Sequence, residues 1–236
     1  MLRSACAYLL TGIALLSAST AWAQDDANAW KLSGGFDQLE LRQGEGGAAL
    51  TWDGTFSLGN ATDQVMLATT GGGALDSQID EIDLRLFYGR TVGQVTLLAG
   101  VRQNLSPGLR DTYAAVGVQG VIAQRLSWET YVFFSQQGHV IGEGQLIYKL
   151  PITEKLYLEP RVALGWSADS VAEEATRPGL TEGEATVRLR YSVNDTINIY
   201  AGVLHERLLG GTRELALEQG DAAQSTIALV GFGLNF

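Results

Sequence analysis

The sequence predicts an all-β fold, an antiparallel up-and-down transmembrane β-barrel of about twelve strands. Three observations predict it. The chain closes on a strand with one apolar row (Thr226, Ala228, Val230, Phe232, Leu234, Phe236) and one row of mostly small or polar residues (Ser225, Ile227, Leu229, Gly231, Gly233, Asn235). Alternation with period 2 recurs along the whole length after residue 30. Links between these segments alternate between short and long. A strand sends successive side chains to opposite faces, so an apolar row backed by a polar one suits a wall between lipid and a lumen. Lipid offers no hydrogen bonds, so strands cross it only as a closed ladder. The competing reading of the last segment, a strand of a soluble sandwich, gives no reason for loops to sort by length.

The chain opens on Arg3, a mostly apolar stretch from Ala5 to Leu16, and Ala21-Trp22-Ala23 before acidic Asp25 and Asp26. This reads as a secretory signal peptide over residues 1–23, leaving a single barrel domain over 24–236. Cys6 lies within it and lacks the upstream leucine of a lipoprotein site, so the exported chain carries no cysteine. Export without disulfides fits a bacterial envelope protein.

The strands follow in order. Trp30–Leu41 begins with apolar Trp30, Leu32 and Phe36, and Leu50, Trp52, Gly54, Phe56 and Leu58 form the second row. Val65, Leu67 and Thr69 form a weaker third, with Met66 pointing inward to pack. Ile82, Leu84, Leu86 and Tyr88 alternate with Glu81, Asp83, Arg85 and Phe87. Val95 to Val101 has Arg102 on its other face, and Ala114, Val116 and Val118 come next. Leu126, Trp128, Thr130, Val132 and Phe134 oppose Ser127, Glu129, Tyr131 and Phe133. Leu146, Tyr148 and Leu150 oppose Glu143, Gln145 and Lys149, and Leu156 to Trp166 opposes Tyr157, Glu159, Arg161 and Ser167. Ala185 to Tyr191 opposes Glu184, Thr186, Arg188 and Arg190, and Ile197 to Val203 opposes Asn198, Tyr200 and Gly202. Each is near the ~10 residues of a tilted membrane strand.

With the N-terminus in the periplasm, the links at 60–62, 91–93, 123–125, 151–155 and 193–195 are the tight inner turns, and 103–111, 169–181 and 207–222 the long outer loops. Gln43–Gly47 and Gln136–Gly138 belong to the outer set but are shorter. Thr212–Gln219 is the one plausible helix, in an outer loop. Trp30, Tyr88, Trp128, Tyr148, Trp166 and Tyr191 suit interfacial girdles. Gly71-Gly72-Gly73 and Gly44–Gly47 are loop glycines without the helix and lysine of a phosphate cradle.

Formal net charge is −10, and export removes only the basic Arg3. That excludes nucleic acid as a partner and is compatible with attraction of cations. No apolar run after residue 24 is long enough for a spanning helix, which needs about 20 residues.

Several stretches together resemble the copper resistance protein B family of Gram-negative outer membranes. They are Leu86-Phe87-Tyr88-Gly89-Arg90, Ala99-Gly100-Val101-Arg102, Ala115–Gly120, Glu159-Pro160-Arg161, Val187–Tyr191 and Tyr200–Arg207. The resemblance covers roughly 63–236 and implies an outer-membrane barrel that binds copper and contributes to copper tolerance, in contact with outer-membrane lipid and with periplasmic copper-handling proteins. The family commonly carries a methionine- and histidine-rich segment before the barrel. Residues 24–47 contain neither residue, and the expected mature chain holds only Met66, His139 and His205. Thioether and imidazole suit Cu(I) and Cu(II), so the metal-buffering part of the family pattern is expected to be missing. The family's tryptophan before the Glu-Arg pair is His205 here.

With the apolar rows toward lipid, the lumen receives Glu81, Asp83, Arg85, Arg102, Glu129, Glu143, Lys149, Glu159, Arg161, Glu184, Arg188, Arg190 and Glu206. Arg or Lys at the lipid midplane costs ~2–4 kcal/mol, which supports this polarity. Two readings follow: a structural ladder of paired charges, or a charged conduit for cations. A twelve-strand barrel lies between filled eight-strand and open sixteen-strand ones. His205 with Glu206 is the candidate copper site, although neighbouring strand residues face opposite ways. Ser135 and His139 are the only near pair for a lipid-modifying enzyme, with no orienting acid or oxyanion donors in view, and the chain is read as no enzyme. The expectation is therefore copper homeostasis. The alternatives are a small cation-preferring channel or structural envelope barrel, and lastly the enzyme.

Overall fold

The computed structural model describes residues 28–236 except 45, 77–78, 107–110 and 173–174, so the expected signal peptide lies outside the described residues. Twelve strands form one closed antiparallel barrel: β1 (Lys31–Gly44), β2 (Gly47–Gly59), β3 (Asp63–Ala74), β4 (Glu81–Val92), β5 (Val95–Asn104), β6 (Thr112–Ile122), β7 (Leu126–Ser135), β8 (Val140–Tyr148), β9 (Leu156–Ser167), β10 (Gly179–Ser192), β11 (Ile197–Leu208) and β12 (Gln224–Asn235). Leu150–Pro151 prolongs β8 beside the start of β9. Each strand pairs with its sequence neighbours, and β1 pairs with β12 from Gly35↔Asn235 to Gln43↔Ala228. Gly34 and Phe236 exchange two main-chain hydrogen bonds, 3.0 and 2.9 Å, at the inner end of this seam. No strand edge is left open, as lipid requires.

The apolar rows face outward: Leu86, Val116, Val162, Val187 and Phe232 are all exposed on the barrel wall. Two tryptophans near the outer rim lie flat over glycines. A Cβ on Gly71 would stand 2.4 Å from the Trp52 ring, and one on Gly142 2.4 Å from Trp166. Trp30, Tyr88, Trp128, Tyr148 and Tyr191 mark the opposite rim, where the tight turns are. The helix is α1 (Gly210–Gln219), two residues longer at its start than the sequence pattern suggests, ending on Gly220 in the left-handed conformation.

One feature of β1 departs from simple alternation. Asp37 is an extra residue, since Phe36 pairs with Gly54 and Gln38 with Asp53. This bulge shifts the phase of the strand. Before it Trp30 and Leu32 face lipid; after it Leu41 does, and Gln38 and Glu40 are buried in the lumen. A bulge bends the strand and re-aims side chains.

Candidate functional site

The lumen is the candidate site, and three side-chain groups cross it. The first joins β4 to β8. Asp83 receives Arg85 Nε at 2.7 Å and also Arg102 Nε, and Arg85 presents both terminal nitrogens to the Glu143 carboxylate. Beneath these charges lies an apolar cluster of Met66, Phe87, Leu98, Tyr113, Ala115, Tyr131 and Phe133. Arg85 lies over Phe133 at 5.1 Å and Arg102 over the same ring at 4.6 Å. Arg stacks on aromatic faces while its fork holds carboxylates, so guanidinium groups can bridge an apolar plug and an aqueous path.

The second group joins β10 to β1. Arg188 Nε donates to Glu40 at 2.7 Å and its Nη2 to Gln38 at 2.8 Å. Arg190 donates through Nη1 to the Asp37 carbonyl at 3.2 Å and to Asn198 at 3.0 Å, and through Nη2 to the Asp37 carboxylate at 3.1 Å. Its Nε lies 2.9 Å from Glu159. Tyr200 stacks under it, 4.4 Å from ring centroid to guanidinium.

The third group is a chain of side chains running from β7 to β2. Gln145 donates to Glu129, Arg161 Nε donates to Gln145 Oε1, and Arg161 Nη2 lies 3.5 Å from Asp53. On the β2–β3 side the wall is of small side chains, among them Thr51, Thr55, Ser57, Ala68 and Gly72, and they leave a cavity of about 800 Å³ beside the charged wall.

Of the lumen residues expected from sequence, Asp83, Arg85, Arg102, Glu159, Arg188 and Arg190 stand in ion pairs with one another or with Glu143, Glu40 and Asp37. Glu129 and Arg161 stand in the chain just described. Glu81 lines the outer half of the 800 Å³ cavity, as does Glu184. Glu184 pairs directly across the ladder with Glu206, and among the described residues Glu81, Glu184 and Glu206 have no ion pair. Sequence alternation alone passed over Asp37, Gln38, Glu40 and Asp53. The shift of apolar phase from Phe36 to Leu39 and Leu41 is the signal that would have found the first three.

His205 and Glu206 part company. His205 lies exposed on the outward row beside Val203, its Nδ1 2.9 Å from the Thr226 hydroxyl. Glu206 shares the inward row with buried Leu204. No bulge interrupts β11 here. Among the described residues no three His, Cys, Asp or Glu side chains converge as metal ligands, and Met66, packed in the apolar cluster at the edge of the central cavity, has no histidine or cysteine beside it there. These residues do not fit a resident copper centre, so any copper this barrel meets would be cargo. Ser135 Oγ accepts the His139 main-chain N–H at 3.0 Å, a turn contact and not a nucleophile–base pair.

The sequence matches the family described as copper resistance protein B precursor (CopB) over residues 31–236. It is 28% identical over 201 residues to the copper resistance protein B homolog of Pseudomonas syringae pv. tomato, covering 85% of this chain and 68% of that one. The copper resistance protein B of Escherichia coli gives the same identity and coverage, 28% over 201 residues. Among solved structures the barrel is similar to the NanC porin, with TM-score 0.53 at 13% identity over 87% of this chain and 99% of that one. It is also similar to the KdgM porin, with TM-score 0.50 at 10% identity over 86% and 99%. At such identities the porins speak for the outer-membrane barrel fold alone.

Proposed function

The chain belongs to the copper resistance protein B family, and from that membership we propose that it acts in copper tolerance from the bacterial outer membrane, handling copper as a cation drawn to its lumen. The observation that carries the reading is the extent of the family match, which runs from the first strand to the last. The distribution of charge supports it. Glu184 and Glu206 oppose each other across β10 and β11, and neither stands in an ion pair among the described residues, although Arg42, itself paired with Glu40, lies in electrostatic reach of Glu206. Like charges directly opposite destabilise a sheet unless a cation or water intervenes, so the outer lumen is a place that attracts cations.

Soft donors are scarce. Met66 borders the central cavity but is largely buried in the apolar cluster, and His205 faces outward. Tight copper ligation is therefore assigned to periplasmic copper-handling partners, and the barrel's share is access and local concentration. No catalytic step is part of this reading.

The test is deletion of the gene in its own host, followed by growth across a copper series. Copper sensitivity restored by the intact chain supports the reading. Growth indistinguishable from the parent at every copper level, with the barrel present in the parent's outer membrane, overturns it.

A further inference from the structure

Three cavities lie end to end through the lumen. An outer one of about 370 Å³ sits beneath α1, lined there by Thr212 and Ala216. It shares Glu143, Gly165 and Glu182 with the central cavity of about 800 Å³. The central cavity in turn shares Gln119, Glu129 and Gln145 with an inner cavity of about 530 Å³, which ends at Gln94 in the turn between β4 and β5. The central cavity runs beside the small residues of β2 and β3, the outer one lies against β8 to β10 and α1, and the inner one against β5 to β8.

From this we propose a further function: the barrel conducts small hydrated cations along this path, and the Glu129–Gln145–Arg161–Asp53 chain is its constriction. The central cavity is lined by seven carboxylates against three arginines. All three arginines are paired, Arg85 with Asp83 and Glu143, Arg161 with Asp53 and Arg42 with Glu40. Glu182 lies within repulsive range of Glu184, Glu143, Glu81 and Glu206, where the outer and central cavities meet. Thr181 is the extra residue of a bulge, since Gly165 pairs with Glu182 and Trp166 with Leu180, and it lines the outer cavity beside Glu182. A ring of carboxylates before a narrow point favours cations over anions. At the narrow point itself, the Arg161 guanidinium spans the gap to Asp53 from the far wall. Removing it widens the path and leaves Glu129 and Asp53 to face the passing ion.

The proposal goes beyond the copper reading and stands without it, because the carboxylates that line the path do not distinguish copper from another small cation and the one thioether on it, Met66, is 4% exposed. The test is single-channel recording of the mature protein, purified folded from outer membranes, in planar bilayers under a KCl gradient. The expected result is a small conductance with a reversal potential on the potassium side. Glu182→Gln with Glu184→Gln should move that potential toward zero. Arg161→Gln should raise the conductance about two-fold or more, with Asp53→Asn as a second variant that loosens the same contact. Heat-dependent gel mobility shows which variants remain folded barrels. Anion selectivity overturns the proposal, as does silence of both the parent and a folded Arg161→Gln barrel. Conductance indifferent to both Arg161→Gln and Asp53→Asn overturns the assigned constriction. Conductance without copper sensitivity on deletion would leave this function standing while the copper reading fails, and the converse would do the reverse.

Discussion

Arg190 grips Asp37 twice, by its carboxylate and by its main-chain carbonyl, across the two strands that separate β10 from β1. The contact depends on the bulge, which makes Asp37 the unpaired residue of its strand and frees both groups to face one guanidinium. Arg190 is almost wholly buried and also meets Glu159 and Asn198.

Removing that guanidinium leaves the buried Glu159 carboxylate without a countercharge, while the half-exposed Asp37 can turn to water. Breaking one partner of a buried ion pair costs about 3–5 kcal/mol, so Arg190→Met is expected to lower barrel stability by that order. Arg190→Lys should recover only part, because an ammonium is a point charge and cannot serve four acceptors in a plane. Urea unfolding in phospholipid vesicles, followed by tryptophan fluorescence, measures both.

The first lumen group predicts an asymmetry between its two acids. The Asp83 side chain is 3% exposed and binds two arginines, whereas the Glu143 side chain is 36% exposed and binds one. Asp83→Asn should therefore cost about 3–5 kcal/mol, and Glu143→Gln about 0–1 kcal/mol. Equal losses in the same urea assay would refute the asymmetry.

Seam closure turns on Gly35. Its φ is +152°, and a Cβ there would stand 1.7 Å from the Leu234 carbonyl oxygen. Gly35→Ala is expected to prevent β1 from meeting β12, and with it the fast-migrating folded band on unheated gels. Gly46→Ala is the control, since a Cβ there meets nothing within 4 Å.

The outward placement of His205 predicts that copper tolerance conferred by the chain is unaffected by His205→Ala. Growth of the complemented deletion strain in copper reads this directly. A loss equal to that of the empty vector would return the imidazole to the copper path.

The barrel itself was legible because lipid constrains one face absolutely. Rows such as Leu86–Tyr88 and Val187–Tyr191 admit no other arrangement once their partners are Arg85, Arg188 and Arg190. The loop lengths and the helix near Thr212 followed from the same frame. The pairing inside the lumen was not legible. Arg85 finds Glu143 58 residues away and Arg188 finds Glu40 148 residues away. Such partners are chosen by closure and strand tilt, which no local pattern encodes. Asp37 was missed for a different reason: an alternation read from Trp30 to Leu41 as one row conceals a shift of one residue in its middle.

The seam between β1 and β12 also sets the order of events in the life of the chain. Until β12 is made, β1 offers a bare row of donors and acceptors to any other strand that meets it, the hazard of every unpaired edge. A half-assembled arc cannot rest in lipid, because its two margins would be unsatisfied there. Insertion must therefore be a late and concerted event, and the whole chain has to be shielded in transit. Crowding of copies whose β1 edge is still unpaired is therefore a condition that exposes this protein to aggregation.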